Sequence, residues 1–185
     1  AFHFYYRADL DWLKIYGAEM VQFSPLKDSE LPQNLDGLLI GGGFPEIYAE
    51  TMSENHSMRQ SLKKAIVSGM PCYAECGGLM LLAESLETRE GRSYPMAGMI
   101  PGSVRMTERL QHFGYCQARF EEGRSFRGHE FHYSNWEEES NLANSWTVRR
   151  HADGSERKEG YQRGNLHASY VHLYFPKAAQ VLSPL

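Results

Sequence analysis

Residues 71–82 read Pro-Cys-Tyr-Ala-Glu-Cys-Gly-Gly-Leu-Met-Leu-Leu: a short apolar run meets a cysteine and passes at once into an apolar helical stretch. A chain with that junction reverses sharply from strand to helix, and Ala74, Gly77 and Gly78 keep the crowded turn free of Cβ clashes. The turn lifts Cys76 out of the sheet at the amino end of the helix, where unsatisfied backbone N–H groups favour the thiolate over the thiol. The thiolate is the nucleophilic form. A buried cysteine acting only as a small hydrophobe is the competing reading of the same residue.

Upstream, Asp-Gly-Leu-Leu-Ile-Gly-Gly-Gly-Phe-Pro-Glu (36–46) is an apolar run closed by three glycines, the pattern of a buried parallel strand opening into a backbone-lined loop. In an open α/β sheet ligands bind outside the carboxyl ends of the strands, so this loop and the Cys76 turn share a cleft. An N–H of Gly42 or Gly43, with that of Gly77, forms an oxyanion hole, where losing one donor typically costs about 3 kcal/mol of transition-state stabilisation. A plain turn or a phosphate cradle is the alternative. Phe44-Pro45-Glu46 lacks the Lys and hydroxyl of a phosphate loop, and an anion there would meet Glu46 and Glu75.

A cysteine nucleophile needs a base, and the chain offers eight histidines. In this class of sheet the base commonly arrives on a late loop. Ala-Ser-Tyr-Val-His-Leu-Tyr-Phe (168–175) is β-prone, carries His172, and precedes a helix-like stretch from Lys177 to Leu182. His172 is therefore the expected base. His112 and His151 fall in polar segments expected to be solvated, His3 and His56 read as surface or capping residues, and His167 faces away from His172. His129 and His132 lie in Arg-Gly-His-Glu-Phe-His-Tyr-Ser (127–134), too polar for a plain core strand and expected to contribute to the site.

The rhythm of the chain is α/β. Asp9–Gly17 reads as a helix, Glu19–Phe23 and Asp36–Ile40 as strands, and Met58, Leu62, Ala65 and Ile66 fall at helical spacing before Gly69 and Pro71. Strand 71–75 feeds a helix over 77–85, and such alternation calls for right-handed parallel crossovers. From Met96 to Tyr133 the pattern changes to short alternating strands, an antiparallel extension, while the polar runs 137–139 and 149–164 read as loops or a hairpin tip. Arg105, Thr107, Glu108 and Arg109 read as a polar turn with a surface ion pair, or else as a face toward another domain.

Ala-Glu-Cys-Gly-Gly-Leu-Met, Gly-Gly-Gly-Phe-Pro-Glu, Arg-Met-Thr-Glu-Arg-Leu, Arg-Gly-His-Glu-Phe-His-Tyr-Ser and Ala-Ser-Tyr-Val-His-Leu together resemble the glutamine amidotransferase domain of the cobyrinate a,c-diamide synthases, in order and over nearly the whole chain. The resemblance implies a flavodoxin-like, class I glutamine amidotransferase α/β fold over 1–185: a mostly parallel sheet flanked by helices, with a small antiparallel extension. It implies a glutaminase with Cys76 as nucleophile, His172 as base and Gly42, Gly43 and Gly77 as oxyanion hole. It further implies an N-terminal synthetase domain, outside this chain, that uses ATP and Mg²⁺ to amidate the a and c carboxylates of a corrin. A strand before Phe2 belongs to the same pattern and is absent here. Other class I glutaminases place a Glu two residues after the base, where this chain has Tyr174. Glu130, or a backbone carbonyl, is then the candidate to orient His172. Tyr133 and Ser134, with Glu130, are candidates to hold the glutamine α-amino and α-carboxylate groups.

Composition narrows the remaining classes. A net charge of −4 from 19 basic and 23 acidic residues argues against a nucleic-acid face or a basic membrane patch. Cys72, Cys76 and Cys116 are too few for a disulfide framework and lack zinc spacing, so no metal is expected and a reducing, cytoplasmic compartment is. Three readings compete with the glutaminase: a Cys-His hydrolase or chaperone of the same fold, whose elbow carries an acid as Glu75 does, a non-catalytic interaction module, and a glutaminase serving another carboxylate acceptor.

Overall fold

The structure is a computed structural model that describes residues 1–120, 123–138, 142 and 145–178. Its first half alternates strands and helices: β1 (Phe2–Phe4), α1 (Arg7–Ile15), β2 (Leu38–Ile40), β3 (Gly42–Gly43), α2 (Ala49–Glu54), α3 (His56–Val67), β4 (Cys72–Glu75) and α4 (Gly77–Leu82). The second half is built of strands: β5 (Ala83–Glu87), β6 (Ser93–Pro95), β7 (Ile100–Met106), β8 (His112–Arg119), β9 (Ser125–His132), β10 (Ser134–Glu137), β11 (Trp146–Arg150) and β12 (Glu156–Glu159). It closes with β13 (Tyr161–Arg163), β14 (Leu166–Ser169) and β15 (His172–Leu173).

The centre is the sheet β13-β14-β4-β2, in which β2, β4 and β14 run parallel. Every residue of β4 and β14 is buried, which is why both read as continuous runs rather than as alternation. Period-two geometry sends their side chains to two cores. Cys72 and Ala74 pack with Leu38, Ile40, Leu62, Ile66, Leu79 and Leu82 on one side. Tyr73 packs with Trp146, Val148, Val171, Leu173 and Phe175 on the other. Helix α4 lies so close to the end of β2 that a Cβ at Gly78 would come within 2.4 Å of the Ile40 carbonyl oxygen, so only glycine fits.

Two further sheets flank the centre. In β12-β11-β8-β9-β15 all pairs are antiparallel, and in β10-β7-β5-β6 the β5–β7 pair is parallel. Antiparallel pairing extends beyond the 96–133 stretch, because Trp146 and Val148 anchor β11; within 149–164 the hairpin-tip reading holds for the turn between β11 and β12, and 161–163 form β13 against β14. The expected strand 19–23 is unpaired and largely exposed: a strand exists only through hydrogen bonds to a neighbour, and no described strand lies beside it. The elbow helix stops at Leu82 rather than Ser85, since the Ala83 and Glu84 carbonyls accept from Gly98 and Met96 in the adjoining sheet. His112, expected in a solvated loop, opens β8 opposite His132, half-buried, and burial lowers its pKa to about 4. Arg105 pairs with Glu87 at 3.3 Å and Glu137 at 3.1 Å, a partly exposed ion-pair cluster. Most of the helix expected over 177–182, and Glu139 of the acidic run, lie outside the described residues.

Candidate active site

Cys76 sits at φ 49°, ψ −102° between β4 and α4. A non-glycine residue there costs on the order of 1–3 kcal/mol and persists only when its surroundings hold it. They do so through both backbone groups. The Cys76 N–H donates to the Ser169 carbonyl at 2.7 Å, and its own carbonyl accepts from Met80 N–H at 3.2 Å. Strand β14 thus fixes the elbow and, three residues after Ser169, delivers His172.

The three sequence-derived groups converge. A Cβ built on Gly42 would stand 2.5 Å from His172 Cε1 and 3.2 Å from Nε2, so the glycine loop lies against the imidazole. A Cβ on Gly77 would stand 3.0 Å from Gly43 N, which brings the two expected oxyanion-hole segments together. Burial by itself would push the His172 pKa down, but the Cys76 sulfur and the Glu75 carboxylate beside the ring outweigh it and raise it to about 10. Burial pushes the Cys72 and Cys116 thiols up to about 12 each.

Among the described residues the carboxylate paired with the base is one that sequence reasoning did not choose. Glu75 Oε2 lies 3.4 Å from His172 Nδ1, while Oε1 accepts from Tyr73 Oη at 2.8 Å and Leu173 N–H at 2.9 Å. Glu130 points elsewhere. It is two per cent exposed, 3.6 Å from His132 Nε2 and ion-paired with Arg157, and against the cost of burial these two, His132 first, hold its carboxyl below the usual range. His129, its neighbour on β9, takes the face toward His172 and stacks on it with centroids 5.0 Å apart. Alternation along β9 placed one of the two at the base, and the sequence held no mark of which.

Ser134 reaches the elbow helix through Met80, whereas the Tyr133 ring meets Arg89 and Phe131. Ser134 is fully buried, its hydroxyl 2.9 Å from Tyr170 Oη and 3.8 Å from Met80 Sδ, so it presents no open hydroxyl. Tyr170 lies within the electrostatic reach of Cys76 and Glu46, and burial raises its own pKa. The Tyr133 ring carries the Arg89 guanidinium 5.3 Å above it. His167 is buried between Tyr73 and Trp146, which lowers its pKa to about 3. On its outer side His172 borders a cleft of about 1090 Å³ lined by Tyr6, Tyr115, Arg127, His129, Arg149 and Tyr174, among others. Among the described residues no group of three or more His, Cys, Asp or Glu is placed to hold a metal ion.

The model of the CobB/CobQ-like glutamine amidotransferase domain family matches residues 1–180. The chain belongs to that family. As a CobB/CobQ-like domain it is similar to the cobyrinate a,c-diamide synthase of Listeria innocua serovar 6a, 47% identical over 98% of this chain and 42% of the relative. The cobyrinate a,c-diamide synthases of Streptococcus sanguinis and Priestia megaterium are 46% and 40% identical, over 99% and 98% of this chain and 42% and 41% of their own. The CobB/CobQ-like domain thus spans about two-fifths of the length of these relatives. A crystal structure of a glutamine amidotransferase shares its fold with a TM-score of 0.65 at 18% identity, covering 90% of this chain and 84% of that one. PurLQS from Thermotoga maritima is more distant, with a TM-score of 0.51 at 15% identity over 85% and 76%. The class I glutamine amidotransferase fold and the enzyme family implied by the motifs are those of this domain.

Proposed function

We propose that the domain hydrolyses glutamine through a Cys76 thioester and supplies ammonia for amidation of the cobyrinate a and c carboxylates elsewhere in a larger synthase. The observation that carries this reading is the strained elbow at Cys76, facing a buried His172 against the Gly42–Gly43 loop. Cys76 Sγ attacks the side-chain amide carbon, and backbone N–H groups from Gly42 or Gly43 and Gly77 receive the oxyanion. As the tetrahedral intermediate collapses, His172 gives its proton to the departing nitrogen, leaving ammonia and a γ-glutamyl thioester. His172 then takes a proton from water, which cleaves the thioester to glutamate and restores the thiol. The balance is glutamine plus water to glutamate plus ammonia. ATP and Mg²⁺ belong to the synthetase part. Three free cysteines support a reducing cytoplasm, and no described helix is long and apolar enough to cross a membrane.

In the complete gene product, Cys76→Ala is expected to abolish glutamine-dependent amidation of cobyrinate while ammonium salts still support it. Glutamine-dependent turnover at the wild-type rate by this variant would overturn the reading.

A further inference from the structure

We infer that Glu75 is the positioning residue of His172, filling from the nucleophile's own strand the place that the chain leaves without a carboxylate at Tyr174. The inference rests on the Cys76–His172 reading above. Its geometry is independent of the motifs. Glu75 and His172 are five and four per cent exposed, so neither is solvated, and Oε2 stands 3.4 Å from Nδ1. That separation is long for a hydrogen bond, as catalytic contacts without ligand often are, and it is within ion-pair range. The carboxylate is itself held. Tyr73 and Glu75 project from the same face of β4, so the Tyr73 hydroxyl reaches Oε1 at 2.8 Å. The second donor to Oε1, Leu173 N–H at 2.9 Å, belongs to the residue directly after the base and ties the carboxylate to the backbone that carries the ring. Tyr174, by contrast, is 48% exposed and turned into the outer cleft.

A carboxylate at Nδ1 keeps the proton on that nitrogen and leaves Nε2, the atom nearer Gly42, to exchange a proton with the sulfur. It also stabilises the imidazolium that forms when Cys76 ionises. His129 and Asp9, which line the same cleft as His172, do neither. His129 stacks on the His172 ring and bonds Tyr6 Oη at 2.8 Å, and burial together with the His172 charge lowers the His129 pKa, which disfavours a second cation there. Asp9 accepts from Phe175 N–H at 3.1 Å, and burial raises its pKa to about 6.

The test is Glu75→Gln in the complete gene product, since the amide oxygen can still accept from Tyr73 and Leu173. We expect glutaminase kcat to fall at least about 100-fold with KM within about threefold, the split of a residue that acts on the transition state. We also expect the limb of the Cys76 alkylation–pH profile set by the imidazolium to move about one unit or more to lower pH, because an opposing charge has been removed. Thermal melting checks folding. Wild-type kcat with an unshifted profile overturns the inference and leaves the role of Cys76 intact, which Cys76→Ala tests separately. Should Glu75→Gln not fold, Glu75→Asp withdraws the carboxylate by one methylene, and kcat is expected to fall at least about tenfold. An unchanged kcat in that variant overturns the inference equally.

Discussion

Gly42→Ala tests the convergence of loop and base with a single methyl group. The φ of Gly42 lies outside the left-handed region, so alanine meets no backbone strain there and only space opposes it. The new Cβ would stand 2.5 Å from His172 Cε1, whereas carbon atoms in contact settle at about 3.5–4.0 Å. One partner must therefore yield by about 1 Å. The ring has little room, with His129 stacked behind it and Glu75 at Nδ1. The loop has little either, since β3 pairs with β1 and the same Cβ would meet Phe4 Cβ at 3.4 Å. A 1 Å displacement of a catalytic group costs about 100-fold in rate, or about 3 kcal/mol of barrier, while overpacking costs the fold about 1–3 kcal/mol. Steady-state glutaminase kinetics on the complete gene product should show the loss in kcat, with ammonia-dependent amidation retained as the internal control. A folded variant with wild-type kcat would refute the placement of the Gly42 loop against His172.

Arg157→Met should destabilise the domain by about 3–5 kcal/mol in urea titration, because it leaves the buried Glu130 carboxylate without its cation. Combining it with Glu130→Gln should recover a large part of that loss, and strict additivity of the two substitutions would refute the pairing. Glu159 is buried, and desolvation raises its pKa to about 7 against the hydrogen bonds it accepts from the Ser169 hydroxyl and Tyr170 N–H. The folded state therefore binds the proton more tightly than the unfolded chain, so this stabilisation is complete below an ordinary carboxyl pKa and is lost as pH rises through about 7. Glu159→Gln should flatten the fall in melting temperature between pH 5 and 7, and a slope equal to wild type would contradict the assignment.

The elbow was legible because strand, cysteine and helix are contiguous, and local chemistry dictates local geometry at a run such as 71–82. The strand at 38–40, the helix ending before Gly69 and the alternating strands β7, β8 and β9 were legible for the same reason. Segment 19–23 was not: its β-prone residues carry no record of whether a neighbour is present. Trp146 and Val148 were hidden inside polar surroundings, although their period-two spacing was the signal of β11. Glu75 is the instructive miss. It stood in the most informative motif of the chain, yet its contact with His172 spans 97 positions and depends on two strands meeting around Tyr73 and Leu173. Glu130 looked equally apt because sequence alternation assigns faces only in pairs.

Labelling with a glutamine-analogue electrophile bears most directly on the central claim. Mass spectrometry of the complete gene product after such treatment should find one modified residue, Cys76, with glutamine protecting it and ammonium leaving labelling unchanged. Modification of Cys72 or Cys116 in its place, or labelling of Cys76 that glutamine does not slow, would contradict a glutaminase built on this sulfur.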